Sequence, residues 1–351
     1  MLPEVSAVVV SHLSAREAID CVASLRRAFR AEGIVGEIVL VDCGSGLAET
    51  HALERGGADL FLPLAENRGY AGGVNAGLAR ARSFRILVCN ADVVFHPDAV
   101  RTLLEAIDDP SVGAAAPLAF WDAEEHVRLP AGWSPSFLSD LAQLSIGRWP
   151  SRSEKRFASF AREMLRLWDR GGTTRQLSGA VLAVRREVFD RVGRFDERFP
   201  FEFEETEWED RVRGCGLALR FVPRARIHHL WGASATASPE TPERRFRSRR
   251  LYWRRRYGRF GRALLERAAR VSRPTVVPRI AKPRLAARSG AWAAISTNPS
   301  VLPFAGSPLD EGFVLPEEIA MRLPPGSLYL RSFRPTDGRP LETFVWEKEE
   351  R

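Results

Sequence analysis

Two sets of carboxylates in the sequence have the residue types and settings that phosphate and hydroxyl chemistry requires. Asp92 follows the strongly apolar stretch "FRILVCN" of residues 84–90, where a carboxylate can hold a divalent cation that bridges two phosphates. More than a hundred residues later, "EFEETEWEDR" of residues 202–211 supplies several acids that could take a proton from a hydroxyl group. The first set therefore predicts a site for a cation with phosphates, and the second is a source of general acids or bases.

The acidic stretch also predicts the beginning of a helix. Thr206 and Glu209 have the spacing of a capping box, with Thr206 as the N-cap. Glu204 and Glu205 precede that cap, so one of them can point into a cleft. We expect the nearby helix dipole to keep this carboxylate ionised at neutral pH, as a base must be.

A glycine-rich stretch, "ENRGYAGGVNAG" of residues 66–77, follows the apolar run "ADLFLPL". A dinucleotide fingerprint would need G-x-G-x-x-G directly after the first strand, and a Walker A loop would need Gly-Lys-Ser/Thr, so both are excluded. Two interpretations stay open. The loop exposes backbone N–H groups to a diphosphate, or Gly72, Gly73 and Gly77 allow a helix to pack closely on a sheet.

The elements that must position these residues alternate between strands and helices. Near-continuous apolar strands separated by helices predict an α/β fold with a mostly parallel sheet covered by helices on both faces. Ligands gather at the carboxyl ends of such strands, where Ser11, Asp42, Asn67, Asn90 and Asp92 lie. The predicted strands are 5–11, 37–42, 58–64, 84–90 and 112–120, and the predicted helices between them are 15–31, 71–82 and 97–107.

The sequence divides into a main domain and smaller segments. Residues 1–243 form the predicted main domain, in which 122–175 are expected to be an irregular insertion. Residues 244–288 are a basic, aromatic-rich helical segment. Residues 289–351 are a small C-terminal appendix, in which "SLYLRSF" and "ETFVWE" predict a hairpin. We expect the appendix to serve docking or dimerisation rather than catalysis.

Composition favours a globular protein of the cytoplasm. The hydrophobic fraction is 45% and the charged fraction is 27%. The beginning of the chain has no basic region before its short apolar run, and no apolar run reaches the roughly 18–20 residues of a membrane span. The four cysteines form no C-x-x-C pair, so we expect neither a zinc site nor a disulfide framework.

The net charge of +8 is local rather than general. Residues 244–288 hold sixteen arginines and one lysine against one glutamate, a charge of +16, so the other residues sum to −8. Arginines with interleaved aromatic residues suit an anionic membrane surface, although a solvated or packed helix remains an alternative. We therefore expect a cytoplasmic protein that can bind peripherally to the inner face of the plasma membrane.

Seven segments of the chain, in the same order, resemble those of the family 2 glycosyltransferases with the GT-A fold, most of all the bacterial members of rhamnosyltransferase type. The resemblance covers about residues 5–257. It rests on the first strand and on six further stretches: "VDCGSGLAET", "ENRGYAGGVNAG", "CNADVVF", "LSGAVLAVRREVFDRVGRFDERF", "FEFEETEWEDRVR" and "VPRARIHHLWGAS". It implies a Rossmann-like sheet of the GT-A type.

On the donor side, the resemblance implies that Asp42 contacts the nucleobase and that Asn90 and Asp92 form the metal–diphosphate motif. Cys43 stands where the family commonly has asparagine. The implied cofactor is Mn²⁺ or Mg²⁺, with Asp92 as ligand and His229, or its neighbour His228, as a second ligand. The implied nucleotide-sugar contacts are Ser11, Asp42, Asn67, Gly69, Asn75, Asn90 and Asp92.

On the acceptor side, the resemblance implies that Glu204 and Glu205 are the acidic pair that contains the catalytic base. The register of the motif favours Glu205, with Glu204 as the alternative and Glu207 as a supporting contact. Trp231 stands where the family commonly has glycine and is expected to shape the acceptor pocket.

The implied activity is an inverting transfer of a sugar from a nucleotide-diphosphate sugar to a hydroxyl of a saccharide or lipid-linked acceptor. Bacterial surface polysaccharide or glycolipid synthesis is the implied setting, and a homodimer remains an open alternative. A nucleotidyltransferase would also use a nucleotide-binding sheet, but "SHLSAREA" after the first strand lacks the glycine-rich loop of that class. The arginine segment leaves a nucleic-acid-binding protein as a third reading, although no specific nucleic acid is expected.

Overall fold

The computed structural model describes residues 2–134, 136–144, 150–230, 241–270 and 277–349. Within these residues the strands, in chain order, are β1 (Val5–Ser11), β2 (Gly36–Cys43), β3 (Leu60–Leu64), β4 (Arg85–Asn90), β5 (Val93–Phe95), β6 (Val112–Phe120), β7 (Gly172–Thr174), β8 (Val181–Arg185), β9 (Ala218–His229), β10 (Arg284–Leu285), β11 (Trp292–Ser296), β12 (Ala305–Pro308), β13 (Phe313–Val314), β14 (Gly326–Phe333) and β15 (Pro340–Lys348). The helices are α1 (Ala15–Glu32), α2 (Leu47–Glu54), α3 (Gly69–Leu78), α4 (Ala99–Asp108), α5 (Phe137–Leu144), α6 (Pro150–Arg170), α7 (Arg186–Val192), α8 (Glu204–Gly214), α9 (Thr241–Arg270) and α10 (Glu317–Arg322).

The chain separates into two compact units. The first contains residues 1–119 and 171–252, and the second contains 120–170 and 253–351. This division differs from the boundaries predicted from the sequence, because the insertion belongs with the C-terminal residues. None of the described helices has both the length and the apolar composition needed to cross a membrane.

The first unit is built on one large sheet with the strand order β3-β2-β1-β4-β8-β6-β9-β5. Strands β3, β2, β1 and β4 are parallel neighbours, and β8 runs antiparallel between β4 and β6. This mostly parallel α/β sheet confirms the predicted fold class. Strands β1, β2 and β4 are buried almost throughout because helices pack on them, as their continuous apolar runs indicate, whereas the edge strand β3 is only partly buried.

Helix α3 explains why the glycine-rich stretch is needed for packing. A Cβ placed on Gly73 would lie 2.6 Å from a methyl carbon of Val10, and one on Gly77 would lie 2.3 Å from a methyl carbon of Val8. Only glycine allows so close an approach of the helix to β1. The packing interpretation of these two glycines is therefore the one that the structure favours.

The second unit contains helices in the segment that the sequence analysis expected to be irregular. In α6, the apolar residues Phe157, Ala161, Met164 and Trp168 recur at helical spacing and are buried. Phe157 stacks on Phe304 at a centroid distance of 5.3 Å, so the helix shares a core with the C-terminal residues. Helical periodicity within a charged segment is the physical reason for the difference.

The C-terminal residues of the second unit form a four-stranded antiparallel sheet with the order β12-β11-β14-β15. Strands β14 and β15 pair antiparallel across a short turn, as the hairpin prediction required. Arg331 of β14 lies with its guanidinium carbon 4.6 Å from the centroid of the Phe157 ring, so the sheet also packs on α6. The role of residues 289–351 in docking or dimerisation stays a prediction.

Candidate active site

The carboxyl ends of the parallel strands bring the predicted donor-side residues together. Ser11, at the end of β1, is the register partner of Asp42 in β2, and Val10 is the partner of Asn90 in β4. The Ser11 hydroxyl lies 3.1 Å from that of Ser14. Three strand ends that are far apart in the sequence thus share one edge, as expected for a ligand-binding sheet.

Asp42 is fully buried and holds the loop that follows β2. Its Oδ1 accepts hydrogen bonds from the backbone N–H and the hydroxyl of Ser45, at 3.1 and 2.6 Å. Its Oδ2 accepts one from the Thr50 hydroxyl at 2.6 Å. Both carboxylate oxygens of Asp42 therefore accept hydrogen bonds from the chain itself, and these bonds hold the loop that follows β2.

The two asparagines of the glycine-rich stretch also bond within the chain. Asn67 is exposed, and its Oδ1 accepts the N–H of Gly69 at 2.8 Å, which fixes the turn into α3. Asn75 donates to the carbonyl of Phe195 at 2.9 Å and to Glu197 at 3.0 Å. The side chains that were predicted to meet the donor thus organise the loop that would surround it.

Asp92 differs from Asp42 in having an oxygen that is not hydrogen-bonded. The residue is 3% exposed, and its Oδ1 has no hydrogen bond within the described part of the chain. That oxygen lies 3.3 Å from Nε2 of His229. The proximity arises because Val93 of β5 pairs with His229 of β9. A buried carboxylate oxygen and an imidazole nitrogen therefore face each other beside the strand ends.

His228, the alternative second ligand, lies elsewhere. Successive side chains of a strand point to opposite faces, so His228 and His229 diverge from β9. The Nε2 atoms of His228 and His96 are 2.9 Å apart, and the two rings stack with centroids 4.8 Å apart. Of the two histidines, His229 is the one that the structure brings to Asp92.

The acidic pair lies at the beginning of α8 rather than before it. The helix begins at Glu204, three residues earlier than the capping box predicted, so Thr206 is not its N-cap. Phe203 occupies the N-cap position with φ of 71°, and its carbonyl accepts the N–H of Glu207 at 3.0 Å. The left-handed turn at Phe203 ends the preceding loop, and the sequence gives no signal of it.

The protonation of the pair also differs from the expectation. Burial raises the pKa of Glu204 well above its usual value, and the charge of Glu205 adds to that rise. Burial likewise raises the pKa of Glu205 to about 7, against backbone hydrogen bonds that lower it. The loss of hydration therefore outweighs the helix dipole, which was expected to keep the base ionised.

The other acids of α8 have structural partners. Glu207 accepts hydrogen bonds from Arg211 at 3.1 and 3.0 Å, which is a pairing within the helix. Glu209 is fully buried and accepts the N–H of Leu177 at 3.1 Å, so it does not complete a capping box. Trp231, predicted on the acceptor side, lies outside the described residues.

Tyr70 and Gly179 lie at the site, although neither was predicted from the sequence to be a site residue. The Tyr70 hydroxyl donates to the carbonyl of Gly179 at 3.2 Å. A Cβ on Gly179 would lie 2.9 Å from Cγ of Glu205, so the base candidate packs directly on this glycine. Both residues lie in stretches that carry the family resemblance, "ENRGYAGGVNAG" and "LSGAVLAVRREVFDRVGRFDERF", but only the fold brings them together.

Tyr70 and residues 179–180 lie between the two sets of carboxylates. Burial raises the pKa of the Tyr70 hydroxyl well above the usual value, and the negative charges of Glu204, Glu205 and Asp92 raise it further. The backbone N–H of Asn90, two residues before Asp92, donates to the carbonyl of Ala180 at 2.9 Å, next to Gly179. Gly179, whose carbonyl accepts the Tyr70 hydroxyl and on which Glu205 packs, is therefore one residue from a hydrogen bond to the strand end that precedes Asp92.

Known proteins are similar to this chain over part of its length. An N-acetylglucosaminyl-diphospho-decaprenol L-rhamnosyltransferase of Mycobacterium tuberculosis is 29% identical over 192 residues, which are 51% of this chain and 61% of that protein. The succinoglycan biosynthesis protein ExoO of Rhizobium meliloti is 30% identical over 151 residues, 39% of this chain and 42% of that protein. The chain thus spans less than two thirds of the length of these curated relatives.

Among solved structures, a mannosyltransferase of Pyrobaculum calidifontis, in complex with GDP-Man and Mn²⁺, is 15% identical with a TM-score of 0.45. The superposition covers 76% of this chain and 74% of that one. The model of glycosyl transferase family 2 matches residues 6–191, more than half of the chain, which contain β1, the glycine-rich stretch, Asp92 and Gly179. The chain belongs to glycosyl transferase family 2.

Proposed function

We propose that the protein transfers a sugar, with inversion, from a nucleotide-diphosphate sugar to a hydroxyl group of a saccharide or lipid-linked acceptor. One observation carries the proposal. Glu205, at the beginning of α8, packs on Gly179, and the next residue, Ala180, accepts the backbone N–H of Asn90 at 2.9 Å, two residues before Asp92 at the carboxyl edge of the sheet. A phosphate-side acid and a base candidate therefore flank one place in a domain of family 2.

The donor would bind along the strand ends. The loop held by Asp42 and the turn fixed by Asn67 form its surroundings, and they are already ordered by hydrogen bonds within the chain. Ser11 and Asn90 share the same sheet edge. Ordering these groups before the donor arrives lowers the entropic cost of binding it.

A divalent cation fits the residues beside this edge. The buried Oδ1 of Asp92 lacks a hydrogen bond in the described chain, and the imidazole of His229 lies 3.3 Å away. Carboxylate oxygen and imidazole nitrogen suit Mn²⁺, and carboxylates suit Mg²⁺. When bound, such an ion would neutralise charge that develops on the leaving diphosphate. Asp92 and His229 are the residues that would hold it.

Glu205 is the proposed base. Its pKa of about 7 leaves a substantial fraction ionised at neutral pH, while its ionised form remains a strong enough base for a hydroxyl proton. Packing on Gly179 fixes the side chain in one place. Glu204 is the alternative, but its stronger burial favours the protonated form, which cannot accept a proton.

Surface polysaccharide or glycolipid synthesis is the proposed setting, because the relatives named above include a transferase for a decaprenol-linked acceptor and a succinoglycan biosynthesis protein. A lipid-linked acceptor would require contact with an anionic membrane surface. In α9, Phe260 is 94% exposed and Leu264, one turn later, is 48% exposed. Arg259 and Arg267 are exposed beside them, so apolar and basic groups share one surface.

Nucleotide sugars, screened by thermal stabilisation with and without Mn²⁺ or Mg²⁺, test the transfer proposal. A ligand at 100 times its Kd should stabilise the fold by about 2.7 kcal/mol. Positive ligands are then tested for transfer to saccharide and polyprenyl-linked acceptors, with the anomeric configuration of the product read by NMR. A product with retained configuration, or nucleotidyl transfer instead of sugar transfer, would overturn the proposed reaction.

Sedimentation with liposomes tests the membrane contact separately. We expect binding to anionic vesicles at low salt that is weakened by a Phe260→Ser/Leu264→Ser double substitution and by added salt. Phe84, 73% exposed in the first unit, provides a matched control as Phe84→Ser. Equal partition between neutral and anionic vesicles, or stronger binding to unrelated DNA than to either, would contradict the membrane proposal.

A further inference from the structure

The first half of α9 has a largely buried face that its basic composition does not predict. Arg244, Ser248 and Tyr252 are spaced four residues apart, so they lie on one face of the helix. Ser248 is fully buried and Tyr252 is 2% exposed, although the segment around them is rich in arginine. We call these three residues the α9 stripe.

The α9 stripe bonds to the backbone of the loop that leads into α8. Arg244 Nη2 donates to the carbonyl of Pro200 at 2.9 Å. The Ser248 hydroxyl oxygen accepts the N–H of Phe201 at 3.1 Å. These bonds fix two successive residues of the loop, and the second bond is made by a group with no access to water.

The third member of the stripe reaches α8 itself. The Tyr252 hydroxyl donates to Oδ2 of Asp210 at 2.9 Å, and its ring packs on that of Phe203 at a centroid distance of 5.5 Å. Beside the stripe, Arg245 pairs with Glu202 at 2.5 Å. The contacts therefore extend from the loop to the second turn of α8.

The loop needs such support because its backbone is strained. Glu202 has φ of 61° and Phe203 has φ of 71°, a left-handed conformation that is uncommon for residues other than glycine. Such conformations persist where the surrounding structure determines them, and they are frequent at functional sites. The next two residues along the chain are Glu204 and Glu205.

We propose that Arg244, Ser248 and Tyr252 are positioning residues that hold the loop of residues 200–203, and through it the acidic pair Glu204–Glu205, in the geometry for proton transfer. The inference rests on the proposed function, in which this pair supplies the base. Arg244 also lies beside Gly69 of the donor-side loop, where a Cβ would be 3.9 Å from its Nη2. In the described contacts, Ser248 and Tyr252 touch neither the donor edge of the sheet nor the side chains of Glu204 and Glu205, so these two residues would act through the loop and α8. A displacement of about 1 Å at a reacting group can cost on the order of 10²-fold in rate.

The experiment compares Ser248→Ala and Tyr252→Phe with Arg247→Ala. Arg247 is exposed on the same helix and serves as the matched control. We expect each stripe variant to lower kcat by about tenfold to a hundredfold with the donor KM nearly unchanged, because the donor binds at the sheet edge. Hydrogen exchange followed by mass spectrometry should show faster exchange at residues 200–206 in the stripe variants only.

The kinetic and hydrogen-exchange results together can overturn the proposal in several ways. Faster exchange with an unchanged kcat would show that the stripe supports the fold alone and would overturn the inference. A rise in donor KM equal to the loss in kcat/KM would also overturn it. If Ser248→Ala does not fold, Tyr252→Phe, which keeps the ring and removes only the hydroxyl, provides the same test. If the wild-type protein transfers no sugar, the proposed function fails, whereas unchanged exchange at 200–206 would refute the stripe itself.

Discussion

Asp42 and Asp92 both lie at the carboxyl edge of one sheet, Asp42 near the end of β2 and Asp92 two residues after β4, yet their surroundings differ. Asp42 is fully buried, and both of its oxygens accept hydrogen bonds from Ser45 and Thr50. Asp92 is almost as buried, but its Oδ1 has no hydrogen bond in the described residues and faces His229. Sequence position alone does not distinguish the two.

The difference separates a carboxylate that holds a loop from one that is available to a ligand. A buried carboxylate oxygen without a hydrogen bond is costly, and Oδ1 of Asp92 has only the contact with His229 among the described residues, which suits a ligand site. A carboxylate that is saturated by internal hydrogen bonds has little left to offer a substrate. We therefore expect substitution of Asp92 to affect chemistry and substitution of Asp42 to affect stability.

The largest effect is expected for Asp92→Asn. The amide keeps the shape but loses the charge that would hold a cation, so turnover should fall on the order of 10³-fold. The thermal stability should change little. The Mn²⁺-dependent stabilisation of the fold by the donor nucleotide should disappear. Thermal unfolding measures this loss even when the variant does not turn over.

Asp42→Asn is the matched control for that experiment, because it makes the same chemical change at the same sheet edge. It should retain the Mn²⁺-dependent stabilisation. Full activity of Asp92→Asn in EDTA-treated buffer would contradict a metal role at this site, and equal losses of turnover in both variants would break the comparison.

A second prediction extends the comparison to Glu205, the proposed base, whose pKa is raised by burial. Glu205→Gln should lower kcat on the order of 10²-fold with little change in donor affinity, because only the proton acceptor is lost. Near-normal turnover of this variant, together with an inactive Glu204→Gln, would assign the base to Glu204.

The pH dependence of the wild type follows from the same residue. Burial raises the pKa of Glu205 to about 7, with Glu202 adding to the rise. Since the base must be ionised, kcat should fall as the pH drops through about 7. The sign for stability is the opposite: a carboxyl with a raised pKa favours folding most below its unfolded pKa, and that contribution is lost as the pH rises through 7. Glu205→Gln should therefore raise the melting temperature more at pH 8 than at pH 5.

The sheet edge could be predicted from the sequence because its signals are local. The apolar runs of β1, β2 and β4 each end in a polar residue, and parallel strands align those ends. The register of Ser11 with Asp42 follows from that alignment. Continuous apolar runs and their terminal residues are properties that a single segment displays by itself.

The acidic site could be predicted only in part, because its geometry depends on distant residues. The left-handed Phe203 moves the beginning of α8 to Glu204, and no residue type announces that turn. Tyr70 meets Gly179 across more than a hundred residues, and Ser248 supports Phe201 from another helix. The raised pKa of Glu205 results from burial, whereas the helix dipole, which the sequence predicts, would lower it.

A smaller effect is expected for Asp42→Asn, now on stability. The amide replaces one accepting oxygen by a donor, so at least one of the bonds from Ser45 and Thr50 is lost. Hydrogen bonds to a charged group contribute about 1.5–3 kcal/mol each, and the free energy of unfolding should fall by a similar amount. Chemical denaturation measures it. An unchanged stability combined with lost donor binding would instead assign Asp42 to the nucleobase.

The smallest effect is expected for Thr50→Val, which removes a single donor to Oδ2 of Asp42 and keeps the shape of the side chain. We expect a loss of about 1.5 kcal/mol in the free energy of unfolding, the lower end of the range for a hydrogen bond to a charged group, and almost full turnover. The double variant with Asp42→Asn sharpens the comparison, because two residues that share a hydrogen bond are not additive. Its loss should be smaller than the sum of the two single losses by about 0.5 kcal/mol or more. Strict additivity, measured by denaturation of all four proteins, would show that Thr50 and Asp42 act independently. The contrast between a saturated Asp42 and an open Asp92 would then lose its basis.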